Sequence, residues 1–339
     1  MSEKFTPLTS CDYKPLSSLL PLRTPLTVTF CSTQKCNFFC EFCYRHNVDK
    51  LELSTESMPM NFLHKLADDI ADFDDQIGVI DVCGSGEPLL LPDIARWIRL
   101  LKDTNNIKQL KMITNGTLLT PQKSEEVIAS GLDLIVVSIN GINDEHYSRV
   151  VHNKVNFNKL VENIEYLYKI KENCKLHIKC IGDYFSKEEL DKFIEIFSPI
   201  TDTIHIDNVI NQWLNFDLPK PPHTKYEVSE KEGLNNRFGK DFMLQNKPMC
   251  NFPFYYMRIH TSGKVSSCAT NWEDKMILGD SKKQSLKEIW HSKELNELQL
   301  KLLKQVNLPK DCGCCKYYEM MTVEDLTPFK DELIKKYTI

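Results

Sequence analysis

Little in this chain of 339 residues points to a membrane, to export or to a charged polymer. Met1 to Thr9 shows no basic segment followed by an apolar one, so no export signal is legible there. The longest strongly apolar run, Leu134 to Ile139, is far below membrane-spanning length. There is no internal repeat and no low-complexity segment. No charge dominates either: 42 basic residues against 47 acidic ones give −5, and no run of Lys and Arg stands apart from its acidic neighbours. These absences exclude any demand for nucleic acid or an anionic membrane, and the expectation is a soluble, cytoplasmic protein.

Cysteine, by contrast, is abundant. Thirteen cysteines in a chain without an export signal are not explained by disulfides, because a reducing cytosol keeps thiols free. Metal or redox chemistry is the leading explanation. One group lies at Cys31, Cys36, Cys40 and Cys43 and another at Cys250, Cys268, Cys312, Cys314 and Cys315, which suggests two sites. Cys11, Cys83, Cys174 and Cys180 read as small buried apolar residues.

From Leu26 to about Ile210, short β-branched stretches alternate with segments of helical period, the pattern of parallel βα units. The spacing predicts strands over Leu26–Cys31, Gly78–Cys83, Gln109–Thr114, Asp133–Ile139, Lys175–Ile181 and Thr203–Val209. Core stripes recur at Phe62, Leu63, Leu66, Ile70 and Phe73, at Ile94, Trp97, Ile98 and Leu101, and at Leu160, Ile164, Leu167 and Ile170. Right-handed crossovers without a reversal build an α/β fold with a partial (β/α)6 barrel of TIM type, although a doubly wound sheet fits the same pattern. In both, a site belongs at the C-terminal ends of the strands.

The remainder reads as a small Cys-rich α+β extension. The division expected is a 1–25 extension, a 26–210 barrel, a Pro-bearing 211–248 linker and a 249–339 domain. That last domain should hold a hairpin at Ser262-Gly263, a helix from Leu286 to about Lys304, a Cys-rich turn and a helix over Val323–Lys336.

Cys36-Asn-Phe-Phe-Cys40-Glu-Phe-Cys43 offers three thiolates on a loop leaving the first strand. Structural zinc and ordinary four-iron clusters take four ligands, so three leave one position open. A zinc loop completed by Cys31 or His46 is the alternative.

CxxxCxxC with an aromatic residue, Phe42, before its last cysteine resembles the radical S-adenosylmethionine (SAM) superfamily. Gly84-Ser85-Gly86-Glu87-Pro88 resembles the family's glycine-rich motif that receives the SAM amino group, with Ser85 replacing the first paired glycine. Thr114-Asn115-Gly116-Thr117 and Ser138-Ile139-Asn140-Gly141 resemble segments reaching the ribose and methionine portions. Arg149 resembles the arginine that pairs with the SAM carboxylate, a task suited to bidentate geometry. The resemblance thus implies SAM contacts at Phe42, Ser85, Gly86, Glu87, Asn115, Ser138 and Arg149. It also implies a three-cysteine 4Fe-4S cluster that cleaves SAM to a 5′-deoxyadenosyl radical.

Cys250, Gly263, Cys268 and the Cys312–Cys315 pair resemble the auxiliary-cluster extension called SPASM, in its shortened "twitch" form. The resemblance implies one auxiliary 4Fe-4S cluster on Cys250, Cys268, Cys312 and Cys315, with Cys314 an alternative ligand and a four-cysteine zinc site the competing reading. The motifs resemble those of 2-deoxy-scyllo-inosamine dehydrogenase-like members. The expected reaction is therefore oxidation of a small polyol, aminocyclitol or sugar, with the auxiliary cluster as electron acceptor and a flavodoxin or ferredoxin as donor. Candidate bases are His205, Asp207, Tyr256, Arg258 and His260. Peptide or protein modification is the runner-up, although segment 1–25 is short for a leader-binding domain. A non-enzymatic zinc module is the third reading.

Overall fold

Six short runs rich in apolar residues form parallel strands here, and the alternating burial within Ile107–Thr114 and Lys175–Ile181 shows one face more deeply covered than the other. The computed structural model describes residues 15–48, 54–83, 85–209, 220–223, 249–270, 276–315 and 324–338. The strands are β1 (Thr27–Cys31), β2 (Ile77–Cys83), β3 (Ile107–Thr114), β4 (Leu134–Ser138), β5 (Lys175–Ile181) and β6 (Thr203–Asp207). Their ends differ from the sequence expectation by one or two residues, and Lys175–Ile181 agrees at both ends.

Three more strands follow: β7 (Tyr256–Ile259), β8 (Lys264–Ser266) and β9 (Gly279–Asp280). All nine form one sheet ordered β6-β5-β4-β3-β2-β1-β7-β8-β9. Strands β1 to β6 are parallel and in chain order. A doubly wound sheet reverses direction at a switch point, and none occurs among these six. The fold is an open α/β sheet of the partial-barrel kind.

The sequence pattern did not foresee that β7 adds to β1 in parallel, with Thr29 opposite Arg258. The hairpin expected at Ser262-Gly263 is present as β7 and β8. Gly263 has φ +87°, a conformation that favours glycine, and its N–H donates to His260 O at 2.8 Å.

Helices cover the sheet through the stripes that periodicity marks. Leu63, Leu66 and Ile70 on helix Met60–Ala71 and Ile94, Trp97, Ile98 and Leu101 on helix Ile94–Asp103 are buried. Each such aliphatic side chain contributes roughly 1.5–3 kcal/mol by leaving water. Phe62 is half-buried instead, with Lys282 Nζ 5.7 Å from its ring centre.

The continuous helix expected over Leu286–Lys304 is two helices, Leu286–Trp290 and Lys293–Lys304. The break follows from Ser292, whose hydroxyl caps Leu295 N at 3.2 Å and so restarts the helix. The expected Val323–Lys336 helix is a 3-10 turn at Thr327–Phe329 followed by helix Lys330–Tyr337, because Pro328 favours a fresh start there. Most of the 211–248 linker, and Cys11, lie outside the described residues.

The division at 210 and 249 stands as a proposal, and the packing crosses it. One core joins Val28, Ile80 and Leu63 to Val265, Leu286 and Ile289. A second core packs Leu16 and Leu20 against Phe254, Leu302, Leu326 and Leu333, so the N-terminal segment is closed over by the C-terminal helices.

Candidate active site

The loop after β1 carries Cys36, Cys40 and Cys43, and its shape is set by other loops rather than by itself. Gly86 lies so close to it that an added Cβ would collide with Lys35 O and stand 2.7 Å from Thr33 O. Glu87 N donates to Lys35 O at 2.7 Å. Tyr44, buried, donates its hydroxyl to Ser85 O at 3.2 Å, and Arg45 Nη1 donates to Gln34 O at 2.6 Å. The far side is held by the helix Asp144–Val151, where Phe39 N donates to Val151 O at 3.0 Å and Glu41 N to Val150 O at 3.1 Å.

Glu87 couples this loop to the end of β3. Its Oε1 accepts from the Thr114 hydroxyl at 2.6 Å and from Leu89 N at 3.0 Å, and its Oε2 accepts from Asn115 N at 2.7 Å. Burial nonetheless raises its pKa to about 6. A ring of amides completes the brace. Asn115 Nδ2 donates to Asn37 Oδ1 at 2.8 Å, Asn37 Nδ2 donates to Thr117 Oγ1 at 3.0 Å, and that hydroxyl donates to Asn115 Oδ1 at 2.7 Å.

The thiols sit inside this frame and sense one another. Burial raises Cys36, lifts Cys43 to about 11 and pushes Cys40 well up, with Cys43 and Cys36 adding to the effect on Cys40. Without a cation such thiols remain protonated. A metal cluster is the group that would hold them as thiolates.

In the C-terminal part, Cys250, Cys268, Cys312 and Cys315 line one cavity, together with Met276 and Leu302. Burial raises Cys250, and Cys268, Cys315 and Cys312 raise it further. Cys312 Sγ lies 3.6 Å from Met276 Sδ, and Cys268 Sγ lies 3.3 Å from the Thr270 hydroxyl. The side chain of Cys314 is outside the described set.

Among the described residues, no three His, Cys, Asp or Glu side chains converge closely enough to hold a single metal ion. A cluster differs in bringing its own iron and sulfide atoms between the thiolates. Three half-buried thiols on a braced loop and four half-buried thiols lining one cavity fit such a group.

The other sequence candidates fall in several places. Phe42 packs 5.4 Å from the Tyr184 ring, and Ser138 is half-buried at the end of β4, paired in register with Lys179. Arg149 is half-exposed, its guanidinium 3.9 Å from Glu189 Oε1. His205 and Asp207 lie on β6, with Asp207 3.4 Å from Lys179 Nζ and 3.8 Å from His205 Nε2. Tyr256, Arg258 and His260 lie on or just after β7, six strands from β6 along the sheet. The two groups of candidate bases are thus not neighbours in the sheet.

Tyr256 is buried and shares a hydrogen bond with Thr29, and burial raises its pKa. His260 Nε2 lies 2.9 Å from the Ser266 hydroxyl. Arg258 is corrected as a base: a guanidinium stays protonated, and here Nη1 donates to Ala269 O at 2.8 Å and Nη2 to Ser85 Oγ at 3.2 Å.

Sequence reasoning missed Arg45, the bracing role of Asn37, and Thr29, Asp81 and Lys111, which lie in register with Arg258 across β1, β2, β3 and β7. Within that row Lys111 Nζ is 2.8 Å from Asp81 Oδ2. Position inside or beside the cysteine motif was the only available signal, and it applied to Asn37 and Arg45 alone.

No helix among the described residues is long and apolar enough to cross a membrane. Comparison with known proteins agrees with the geometry. Residues 30–197 match the model of the Radical SAM superfamily, and residues 250–316 match SPASM, an iron-sulfur cluster-binding domain. The chain is 25% identical over 305 residues to GTP 3′,8-cyclase of Aquifex aeolicus, covering 80% of this chain and 91% of that one.

Among solved structures, Streptococcus suis SuiB bound to the precursor peptide SuiA superposes with a TM-score of 0.64 at 14% identity, covering 90% of this chain and 72% of that one. BtrN in complex with AdoMet and 2-DOIA superposes with a TM-score of 0.53 at 16% identity, covering 88% and 96%. At these identities the structural likeness speaks for the fold. The two family matches together span well over half the sequence, and the zinc-module reading gives way to them. Membership implies binding of SAM and of iron-sulfur clusters: the chain belongs to the radical SAM superfamily and carries a C-terminal SPASM-type domain.

Proposed function

We propose that this enzyme oxidises a secondary alcohol on a small polyol, aminocyclitol or sugar derivative. In this reading Cys36, Cys40 and Cys43 hold a 4Fe-4S cluster, and Cys250, Cys268, Cys312 and Cys315 hold an auxiliary one. SAM bound at the first cluster supplies, after one-electron reduction by a flavodoxin or ferredoxin, methionine and a 5′-deoxyadenosyl radical. Every other task belongs to the chain.

Ser85, Gly86 and Glu87 would hold the SAM amino group, Asn115 and Ser138 would meet the rest of the cofactor, and Arg149 would take the carboxylate. The braced loops would keep water from the site.

With SAM and both clusters bound, the substrate carbon would lose one hydrogen atom to the radical and one electron to the auxiliary site, and its hydroxyl proton to a base of the chain, leaving a carbonyl and 5′-deoxyadenosine. His260 is the base this reading favours, because imidazole can accept a proton at one nitrogen while the other donates. Its turn also touches the first cysteine loop, where Gln34 Nε2 donates to the Thr261 hydroxyl at 2.9 Å.

The observation that carries the proposal is the convergence of four C-terminal cysteines on one cavity. Four thiolates complete an iron-sulfur cluster and leave no open iron for a substrate, so electron transfer is the role that remains. BtrN, solved with 2-DOIA, has this fold, which is consistent with a small cyclic substrate.

The test is anaerobic reconstitution with iron and sulfide, then incubation with SAM, a reductant and a panel of aminocyclitols and sugars. GTP and peptides serve as comparators, since relatives named for each are similar to this chain. A product lighter by two hydrogens, formed with one 5′-deoxyadenosine, supports the proposal. Turnover of GTP or a peptide alone refutes it.

A further inference from the structure

Among the described residues, Arg258 is a buried cation without a carboxylate partner. It is 8% exposed, and among the described residues its Nε has no hydrogen-bond partner and its Nη atoms reach a backbone carbonyl and a serine hydroxyl, both neutral. Asp81, the acid in its register row, is engaged by Lys111 at 2.8 Å. An unpaired charge in the interior is expensive, and proteins keep one only where an opposite charge compensates it.

Position in the fold identifies the compensation. Burial disfavours its charge, and Cys31, Tyr256, Cys83 and Cys268 in anionic form would outweigh that penalty. Burial raises the Tyr256 phenol and lifts the Cys83 thiol well above its ordinary value, and neither these two nor Cys31 lines the cysteine cavity. Cys268 is the one in the cavity of four cysteines, and the carbonyl that receives Arg258 Nη1 belongs to the next residue, Ala269. A thiolate on iron is deprotonated outright, so Cys268 as a cluster ligand would supply the missing negative charge.

The same arrangement recurs at the other site. Arg45 is 5% exposed, its Nε is likewise unpartnered, and it acts electrostatically on Cys36 and Cys43. Among the described residues neither arginine forms an ion pair with a carboxylate. Each cysteine site therefore has its own buried guanidinium.

We propose that Arg258 is the counter-cation of the auxiliary site and sets its readiness to accept an electron. A fixed positive charge beside a cluster favours the reduced form, which carries one more negative charge. Arg258 is thus a positioning residue for the second half-reaction. Its side chain also ties the Ser85 loop to the Cys268 loop, so the two sites share one rigid strut. The inference rests on the two-cluster reading above, but not on the identity of the substrate.

The experiment isolates the auxiliary site in the full-length protein by changing Cys36, Cys40 and Cys43 to Ala, then reads its midpoint potential by redox titration with electron paramagnetic resonance. Adding Arg258→Met is expected to disfavour reduction at least tenfold, which is 59 mV for one electron. Arg258→Lys is expected to restore most of that shift, because it returns the charge without the fork. An unchanged potential in Arg258→Met overturns the inference, as does a Lys variant that shifts as far as Met. Should the Met variant fail to fold, Arg258→Gln with Arg258→Lys carries the same comparison. Absence of iron in the triple-alanine parent would instead bring down the two-cluster reading itself. Iron present with an unmoved potential brings down only the role of Arg258.

Discussion

Glu87 accepts the hydroxyl of Thr114 at 2.6 Å, and that bond joins the loop after β2 to the end of β3 within a fully buried carboxylate. The acid is satisfied by three donors, yet remains hard to ionise because it is out of water.

A pH dependence of stability follows. Glu87 moves from an ordinary value of 4.5 to about 6 on folding. A raised folded-state value means that the folded chain holds this proton more tightly than the unfolded one. The stabilisation is full below the unfolded value and is lost as pH rises through about 6, a change of about 2 kcal/mol. Urea unfolding from about pH 4 to 7 should show this decline in the wild type and a flatter profile in Glu87→Gln. Parallel profiles would refute it.

Gly86 meets the cysteine loop too closely for a side chain. Gly86→Ala should displace Lys35 and Thr33, cost about 1–3 kcal/mol and lower the iron bound per chain after reconstitution. Normal stability with full iron loading would show that the loop yields freely.

The two cysteine sites should separate by function. Changing Cys36, Cys40 and Cys43 to Ala should abolish 5′-deoxyadenosine, measured by mass spectrometry. Changing Cys312 and Cys315 to Ala should spare uncoupled SAM cleavage and stop substrate oxidation. Substrate turnover by the second variant would remove the auxiliary site from the reaction.

Asp81 and Lys111 form an ion pair whose side chains are 13% and 17% exposed. Asp81→Asn should cost roughly 3 kcal/mol by leaving the Lys111 ammonium uncompensated. Asp81→Asn combined with Lys111→Met should recover most of that loss in a denaturant titration. Additive losses would mean that the pair is not coupled.

How much of this was legible follows from the range of each interaction. Lys175–Ile181 could be delimited because the alternation of buried Leu176, Ile178 and Cys180 with less buried neighbours is carried by its own residues. The stripe Ile94, Trp97, Ile98 and Leu101 was equally local. The break between Trp290 and Lys293 was missed because hydrophobic period runs through it, whereas the cap at Ser292 depends on one backbone turn.

The amino-acid sequence alone determined the chemistry on offer: three thiols on a loop behind a strand, five more farther on, and six strand-like runs at βα spacing. These are short-range patterns, carried by residues near one another in the chain. Tertiary structure decided what those groups face. That β7 docks on β1, that Arg258 stands between Ser85 and Ala269, and that Asn37 meets Asn115 all depend on contacts between distant segments. Such contacts form only when burial of the whole core repays the entropy of closing long loops, and no local pattern records which partners will meet.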